Sequence, residues 1–302
     1  MNKNFLVGLF SIIMFQNCYA QTDSAPVDSQ DMWNKKEASK NNSGRSRNPS
    51  DIGEVYKLNL AVDIPIIAIG TGWSLFAFTK IYKKPNPTEQ EINNLKTSDI
   101  NGFDRWAVYP YSQKMHNMSQ YPFLTSIPLP LLFFLTGKDT RSDFFKLTFL
   151  YWETMSVTGL TGTMATYNVD RYRPYTYSSE TPMDKRTGHV AKNSFYAGHV
   201  QVVATPTFFI AQVFADYHPD SKLKWLFYGG AAAATVTTAY FRLRGGFHFP
   251  KDILLGTTTG VLAGIFVPRS HRNNLLKKSQ VSVLPFSTGD INGLTFTYRF
   301  KK

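Results

Sequence analysis

The stretch FRLRGGFHFPKD, residues 241–252, joins two apolar segments and contains three side chains that can do chemistry. Arg242 ends the first segment, and His248 and Asp252 lie four residues apart at the start of the second. If Pro250 lies in the first turn of a helix, both side chains fall on one face of that helix. The carboxylate of Asp252 could then hold one imidazole nitrogen of His248 and leave the other free as a nucleophile.

Two further polar clusters precede this stretch, each at the junction of an apolar segment and a loop. Arg173-Pro174 follows one segment, and Gly198-His199 opens the next. Arg173 and Arg242 are planar, permanently charged groups that match the oxygens of a phosphate. Gly198 permits close approach of the backbone, and a helix that begins there directs N–H groups toward an anion. His199 is a second imidazole, suited to protonating a leaving oxygen.

If these clusters converge, they form a site for phosphoryl transfer that uses neither a metal nor another cofactor. The charge of the chain agrees with this, since 33 Lys and Arg against 21 Asp and Glu suit an anionic partner. The basic residues form no continuous stripe, so a nucleic acid is not expected. The single cysteine, Cys18, excludes a disulfide framework and a Cys-based zinc site.

Six apolar segments of helical length make up most of the chain after residue 57. They are too apolar all round for surface helices, and their Gly, Thr and Pro residues suit close helix packing. The sequence therefore favours six membrane spans over a soluble helical bundle, and the Pro-rich second segment is the least suited to span. The segments are Leu58–Ile81, Pro122–Thr136, Phe144–Val169, His199–Tyr217, Leu223–Leu243 and Pro250–Val267.

The two ends of the chain differ from this helical region, which we place at residues 57–272. Residues 1–20 combine a lysine, a short apolar run and a small-residue ending, the pattern of a signal peptide. Residues 21–56 are polar and predict a linker. In the segment 273–302, apolar and polar residues alternate around Gly-containing turns, which predicts a small β-hairpin packed against the bundle.

The order and spacing of the three clusters resemble the signature of the type 2 phosphatidic-acid phosphatase and vanadium haloperoxidase superfamily. That signature reads Lys-x6-Arg-Pro, then Pro-Ser-Gly-His, then Ser-Arg-x5-His-x3-Asp. The resemblance covers about residues 57–270 and implies an all-α, membrane-embedded six-helix bundle. The chain keeps seven of the signature residues: Arg173, Pro174, Gly198, His199, Arg242, His248 and Asp252.

The resemblance also implies a role for the matching residues. His248 would accept the phosphoryl group, with Asp252 as its partner and His199 as the general acid. The phosphate oxygens would be bound by a second group of residues: Arg173, Arg242 and the amide of Gly198.

Two departures from the signature affect phosphate binding. Thr166 stands where the signature has its lysine, and Ala197 stands where a serine would donate a hydroxyl group to phosphate. Arg171 or another nearby basic residue could supply the missing charge. The absence of one charged phosphate ligand weakens transition-state binding by about 2–4 kcal/mol, which predicts a slower enzyme or a shifted substrate.

The resemblance thus leads us to expect a metal-independent hydrolase of lipid phosphate monoesters or pyrophosphates that forms a phosphohistidine. An exported soluble acid phosphatase or haloperoxidase relative, and a catalytically weak relative that binds anionic lipid, remain as alternatives. The expected partners are a lipid phosphate and a membrane of the bacterial cell envelope, with the site facing the periplasm. The sequence leaves the oligomeric state open.

Overall fold

The computed structural model describes residues 54–273, 281–287 and 292–298, and this part of the chain is predominantly α-helical. The all-α prediction is confirmed for the bundle. The predicted signal peptide at 1–20 and nearly all of the predicted linker at 21–56 lie outside the described residues.

Seven helices of eight residues or more occur in the described region. They are α1 (Leu60–Ile81), α2 (Gln113–Ser126), α3 (Leu129–Thr136), α4 (Phe144–Asn168), α5 (Gly198–Tyr217), α6 (Lys224–Arg244) and α7 (Pro250–Ser270). The connections contain shorter helical turns at Glu89–Asn93, Thr97–Asp99, Gly102–Arg105, Lys138–Ser142, Pro174–Tyr177 and Met183–Arg186.

The predicted count of six helices is not confirmed, because the second apolar segment is not one helix. It is divided between α2 and α3, which meet at a bend of 40°. Pro128 lies in the break between them and has no N–H group to continue the helical hydrogen bonding. Helix α2 also begins at Gln113, well before the predicted start at Pro122. The difference arises because the first half of the helix is polar and so was not part of the apolar segment.

The structure supports two or three membrane spans, fewer than the six predicted from the sequence. In the described region, α1 and α7 are long and apolar enough to span a membrane, and the bent α2–α3 pair could form a third span. Buried polar residues such as Glu153, Gln201 and Gln212 lower the hydropathy of other long helices. Two or three apolar helices are consistent with membrane association.

A row of glycines on α7 determines how closely this helix approaches α5. A Cβ atom added to any of the three would lie within 2.5–2.6 Å of a backbone oxygen of α5 or of the residue before it. The glycines and the residues that they face recur every four positions, so one ridge of each helix is in backbone contact along its length. The facing pairs are Gly256 with Ala197, Gly260 with Gln201, and Gly264 with Thr205.

The order of these pairs shows that α5 and α7 run parallel, with both N-termini at one end of the bundle. The helices α1 and α4 also run parallel to each other, since Gly70 faces Ser156 and the later Ser74 faces the later Gly159. The C-terminus of α1 lies at the end of the bundle where α5 and α7 begin. There the carbonyl of Ile81 accepts a hydrogen bond from the side chain of Asn193. The loops that carry the three sequence clusters therefore lie at the same end.

Two C-terminal strands, β1 (Val281–Ser287) and β2 (Asn292–Tyr298), pair in antiparallel register from Val281 opposite Tyr298 to Ser287 opposite Asn292. The expectation that this terminal segment caps the bundle as a stable hairpin stays a prediction.

The glycine contact gives a stability prediction for Gly260→Ala. The added methyl group would meet the carbonyl of Gln201 and force α5 and α7 apart, at a cost of about 1–3 kcal/mol in the free energy of unfolding. We expect a lower Tm in detergent. Gly229→Ala on α6 is the control, because this exposed glycine has nothing within 4 Å and should keep or raise the Tm. Equal Tm values for the two variants would contradict the contact.

Candidate active site

The three sequence clusters meet where α5 and α7 begin. Nδ1 of His248 lies 2.6 Å from the carbonyl oxygen of Ser194, in the segment before α5. Nε2 of the same ring lies 3.4 Å from Nη2 of Arg242 at the end of α6. Arg173, from the loop after α4, packs its guanidinium over Phe247, 5.3 Å from the ring centroid. Residues that are far apart in sequence thus share one site.

The hydrogen bond to Ser194 determines which nitrogen of His248 is free. A carbonyl oxygen can only accept, so Nδ1 carries the proton and Nε2 keeps its lone pair. Burial, followed by the nearby Arg242 and Arg173, holds the pKa of His248 well below its ordinary value. Nε2 is therefore unprotonated near neutral pH, as a nucleophile must be.

Asp252 does not hold His248 directly, which differs from the sequence expectation. One of its oxygens, Oδ2, accepts from the hydroxyl of Ser194 at 2.7 Å and from the amide of Phe249 at 3.0 Å. The other oxygen pairs with Arg171. The carboxylate turns back to cap the start of α7, and it acts on His248 only by holding the Ser194 segment whose carbonyl orients the ring.

Arg171 is paired with two carboxylates, so the structure gives no support for its expected auxiliary role in phosphate binding. Besides Asp252, its guanidinium binds Oδ2 of Asp104 at 2.7 Å and packs over the ring of Phe249. Both carboxylates are fully buried. Removal of the cation would leave two uncompensated buried charges, which is strongly destabilising.

Arg173 and Arg242 form a pair of buried cations on one aromatic ring. Their guanidiniums lie 5.3 Å and 4.0 Å from the centroid of Phe247. Neither forms an ion pair with a carboxylate among the described residues, and each leaves a buried Nε without a hydrogen-bond partner there. Burial lowers the pKa of Arg173. Two buried like charges cost several kcal/mol unless an anion joins them, so this arrangement favours anion binding.

Helix α2 contributes a polar face that the sequence analysis did not include. Nδ1 of His116 and Oγ of Ser119 lie 3.3 Å and 3.4 Å from Nη1 of Arg242. Nε2 of Gln120 lies 3.3 Å from Nε2 of His116 and 3.2 Å from Nε2 of His199. These α2 residues are three and four positions apart, which places them on one helix face. That spacing is the feature of the sequence from which this polar face could have been predicted.

His199 and Gly198 lie in the first turn of α5, beside this face. The His199 ring packs on Phe123 at a centroid distance of 4.4 Å. A Cβ added to Gly198 would have nothing within 4 Å, so there is open space beside this residue. No side chain in the described region caps the N-terminus of α5, which leaves its first amides available to an anion.

Ala197 and Thr166 do not take over the phosphate-binding roles of the signature residues at their positions. Ala197 is fully buried, and its methyl group lies beside Gly256. The hydroxyl of Thr166 donates to the carbonyl of Gly162 within α4. Lys84 reaches the carbonyl of Thr166 at 2.6 Å, but it also pairs with the carboxylate of Asp170. Neither position therefore supplies the hydroxyl or the cation that the signature places there.

Comparison with known proteins agrees with this geometry. The family model of the PAP2 superfamily matches residues 147–276, a range that contains all three clusters. This match confirms the resemblance drawn from the sequence. The family supports a phosphatase-type hydrolase. No curated protein and no solved structure matches the chain.

The unpaired arginines predict that inorganic phosphate stabilises the protein. A phosphate concentration 100 times the dissociation constant should raise the stability of the wild type by about 2.7 kcal/mol, seen as a higher Tm. Arg242→Gln should lose this shift. Arg244→Gln removes the same charge from the same helix end, but its side chain is exposed and lies over Tyr109, so it should keep the shift. A shift that survives in Arg242→Gln would contradict the assignment.

Proposed function

We propose that this protein is a metal-independent phosphatase that hydrolyses lipid phosphate monoesters or pyrophosphates through a phosphohistidine. The observation that carries this proposal is the unprotonated Nε2 of His248, which lies 3.4 Å from one of two buried guanidiniums without a carboxylate partner among the described residues. A nucleophile beside an unneutralised anion site is the arrangement that phosphoryl transfer requires.

In the first step, Arg173, Arg242 and the first amides of α5 bind the phosphate oxygens. Nε2 of His248 attacks phosphorus, and the bond from phosphorus to the leaving oxygen breaks. Burial, followed by Arg242 and Arg173, holds the pKa of His199 well below its ordinary value in the empty site. The negative charge of the bound phosphate offsets the two arginines, so His199 takes up a proton with the substrate and donates it to the leaving oxygen. The carbonyl of Ser194 stabilises the positive charge on the phosphorylated ring through the Nδ1 proton.

In the second step, water attacks the phosphohistidine. The now neutral His199 takes one proton from this water, the P–N bond breaks, and inorganic phosphate leaves. This returns both imidazoles to their starting protonation states. Ser194 and Asp252 act in both steps as positioning residues, because they hold the His248 ring and do not touch the phosphate.

A lipid substrate is supported by the position of the site relative to the apolar helices. Asp252 lies in the first turn of α7, one of the two helices that could span a membrane, so the site lies at the end of that helix. A phosphate head group could reach the arginines while its chain stays among exposed apolar residues of the helices. We place the protein in the bacterial cell envelope with the site facing the periplasm.

A second candidate is a catalytically weak relative that binds anionic lipid. It is supported by Ala197, which has no hydroxyl group, and by Thr166, whose hydroxyl is bonded within its own helix. Both the phosphatase and the lipid-binding candidate require the arginine pair. Only a measurement of substrate turnover therefore distinguishes them.

The proposed mechanism predicts that His248→Asn loses activity. Phosphate release from phosphatidic acid, a polyprenyl pyrophosphate and an aryl phosphate should be measured in detergent with EDTA present. We expect release by the wild type, blocked by vanadate, and at least about a 10³-fold loss in the variant because the nucleophile is gone. His218→Asn, at the far end of α5, is the matched control and should keep activity. Wild-type release no higher than that of His248→Asn would favour the binding-only candidate.

The environment of His248 also predicts the pH dependence of kcat/KM. Protonation of Nε2 removes the nucleophile, and the pKa of His248 is lowered, so activity should persist as the pH falls through about 6.5 and disappear only below it. Arg173→Gln removes one repelling charge and should move this acid limb to higher pH. Arg244→Gln should leave it unchanged. A wild-type limb at or above about pH 6.5 that Arg173→Gln does not move would contradict this account.

A further inference from the structure

A second cluster of buried ionisable side chains lies at the end of the bundle remote from His248. Asp63 is in the first turn of α1, Glu153 is in α4, and His271 directly follows α7. One oxygen of each carboxylate and Nε2 of the imidazole lie within 4.8 Å of one another. None of the three takes part in the mechanism described above, so the cluster needs its own explanation.

The hydrogen bonds of His271 direct a lone pair at the two carboxylates. Nδ1 lies 2.9 Å from the carbonyl oxygen of Val267, which can only accept, so Nδ1 carries the proton. Nε2 lies 3.2 Å from Oδ1 of Asp63 and 3.2 Å from Oε2 of Glu153. A neutral imidazole in this position would repel both oxygens. A cation, either a proton or a metal ion, must therefore lie among the three atoms.

A single proton does not satisfy the whole cluster. A proton on Nε2 of His271 forms a hydrogen bond with Asp63, but Oε2 of Glu153 is buried and has no hydrogen-bond donor among the described residues. The residue Glu153 is only 3% exposed, so bulk water does not supply one. The charges lead to the same conclusion. Two ionised carboxylates and an imidazolium leave a buried net charge of about −1, so protons alone reach neutrality only with a second proton on Glu153, whereas a dication with a neutral imidazole reaches it with none.

We propose that Asp63, Glu153 and His271 bind a divalent transition-metal ion, with Zn²⁺ as the best match. Bonds of about 2.0–2.2 Å in a tetrahedral zinc site place neighbouring ligand atoms about 3.3–3.5 Å apart, close to the 3.2 Å distances from Nε2. An imidazole ligand favours zinc over magnesium or calcium. Three protein ligands leave the fourth position to water.

The surroundings of the cluster resemble the outer shell of a metal site. Metal-bound imidazoles usually donate their second nitrogen to a carbonyl, as His271 does to Val267. The second oxygen of Asp63 accepts from the amide of Asn59 at 2.7 Å, which fixes the carboxylate. These contacts orient the ligand atoms before any metal binds.

The metal would join three helices that are distant in sequence. The backbone of His271 also accepts from the amide of Lys57, and the amide of Asn273 donates to the carbonyl of Val55. The segment before α1, α4 and the end of α7 would thus be held at one point. Because this point is remote from His248, the metal stabilises the fold and does not enter the phosphatase chemistry.

The test is the metal content of the full chain, purified without chelator, loaded with Zn²⁺ and dialysed. We expect about one zinc per chain in the wild type and a loss of about tenfold or more in Glu153→Gln and His271→Ala. His218→Ala, another residue that follows a helix end, should keep the metal. EDTA should lower the Tm of the wild type and leave that of Glu153→Gln unchanged. Cobalt in place of zinc should give the visible absorption of a tetrahedral site.

Two results would overturn the proposal. One is a wild type that holds no metal after loading and whose Tm does not respond to EDTA. The other is equal zinc content in the wild type and Glu153→Gln. The outcome is independent of the phosphatase proposal, because His248→Asn should keep its zinc while it loses phosphate release.

Discussion

The backbone contact between α5 and α7 is the interaction on which the rest of the site depends. Gly256, Gly260 and Gly264 have no side chains to separate the helices, so α7 lies directly on the carbonyl groups of α5. Because the helices are parallel, both of their N-termini reach the same end of the bundle. This geometry brings the His199 turn beside the loop that contains His248. A larger side chain in the glycine row would widen this spacing and disturb the site without touching it.

The site itself is held together by charges that compensate one another only in part. Asp252 and Asp104 are fully buried and share Arg171, which makes a closed ionic group beneath the loop. Above it, Arg173 and Arg242 share an aromatic ring and have no carboxylate partner in the described part of the chain. Under the proposed function, the free energy lost by burying these cations would be recovered when a phosphate group binds between them. The ionic group that contains Asp252 holds Ser194, whose carbonyl orients the His248 ring.

The bundle thus has two polar ends with different balances of charge. One end has excess positive charge and a free imidazole nitrogen, and it suits an anion. The other end has two carboxylates and an imidazole lone pair, and it suits a cation. The two ends are separated by the lengths of α1 and α7, the most apolar long helices in the described region. The proposed metal ion at one end would therefore not interfere with the proposed phosphoryl chemistry at the other.

The sequence by itself determined the family and the residue types of the site, because Arg173, His199, Arg242 and His248 stand at the spacings of the family signature. It also determined the helical class, from the apolar segments. Only the tertiary structure decided which atoms meet: the Ser194 carbonyl on His248, the Arg171 ion pairs, and the α2 face with His116 against Arg242. Local spacing cannot reveal such contacts, since their residues lie 54 to 126 positions apart and meet only after the helices pack. The smaller number of spans also depends on tertiary packing, because polar residues buried between helices lower hydropathy without preventing a helix.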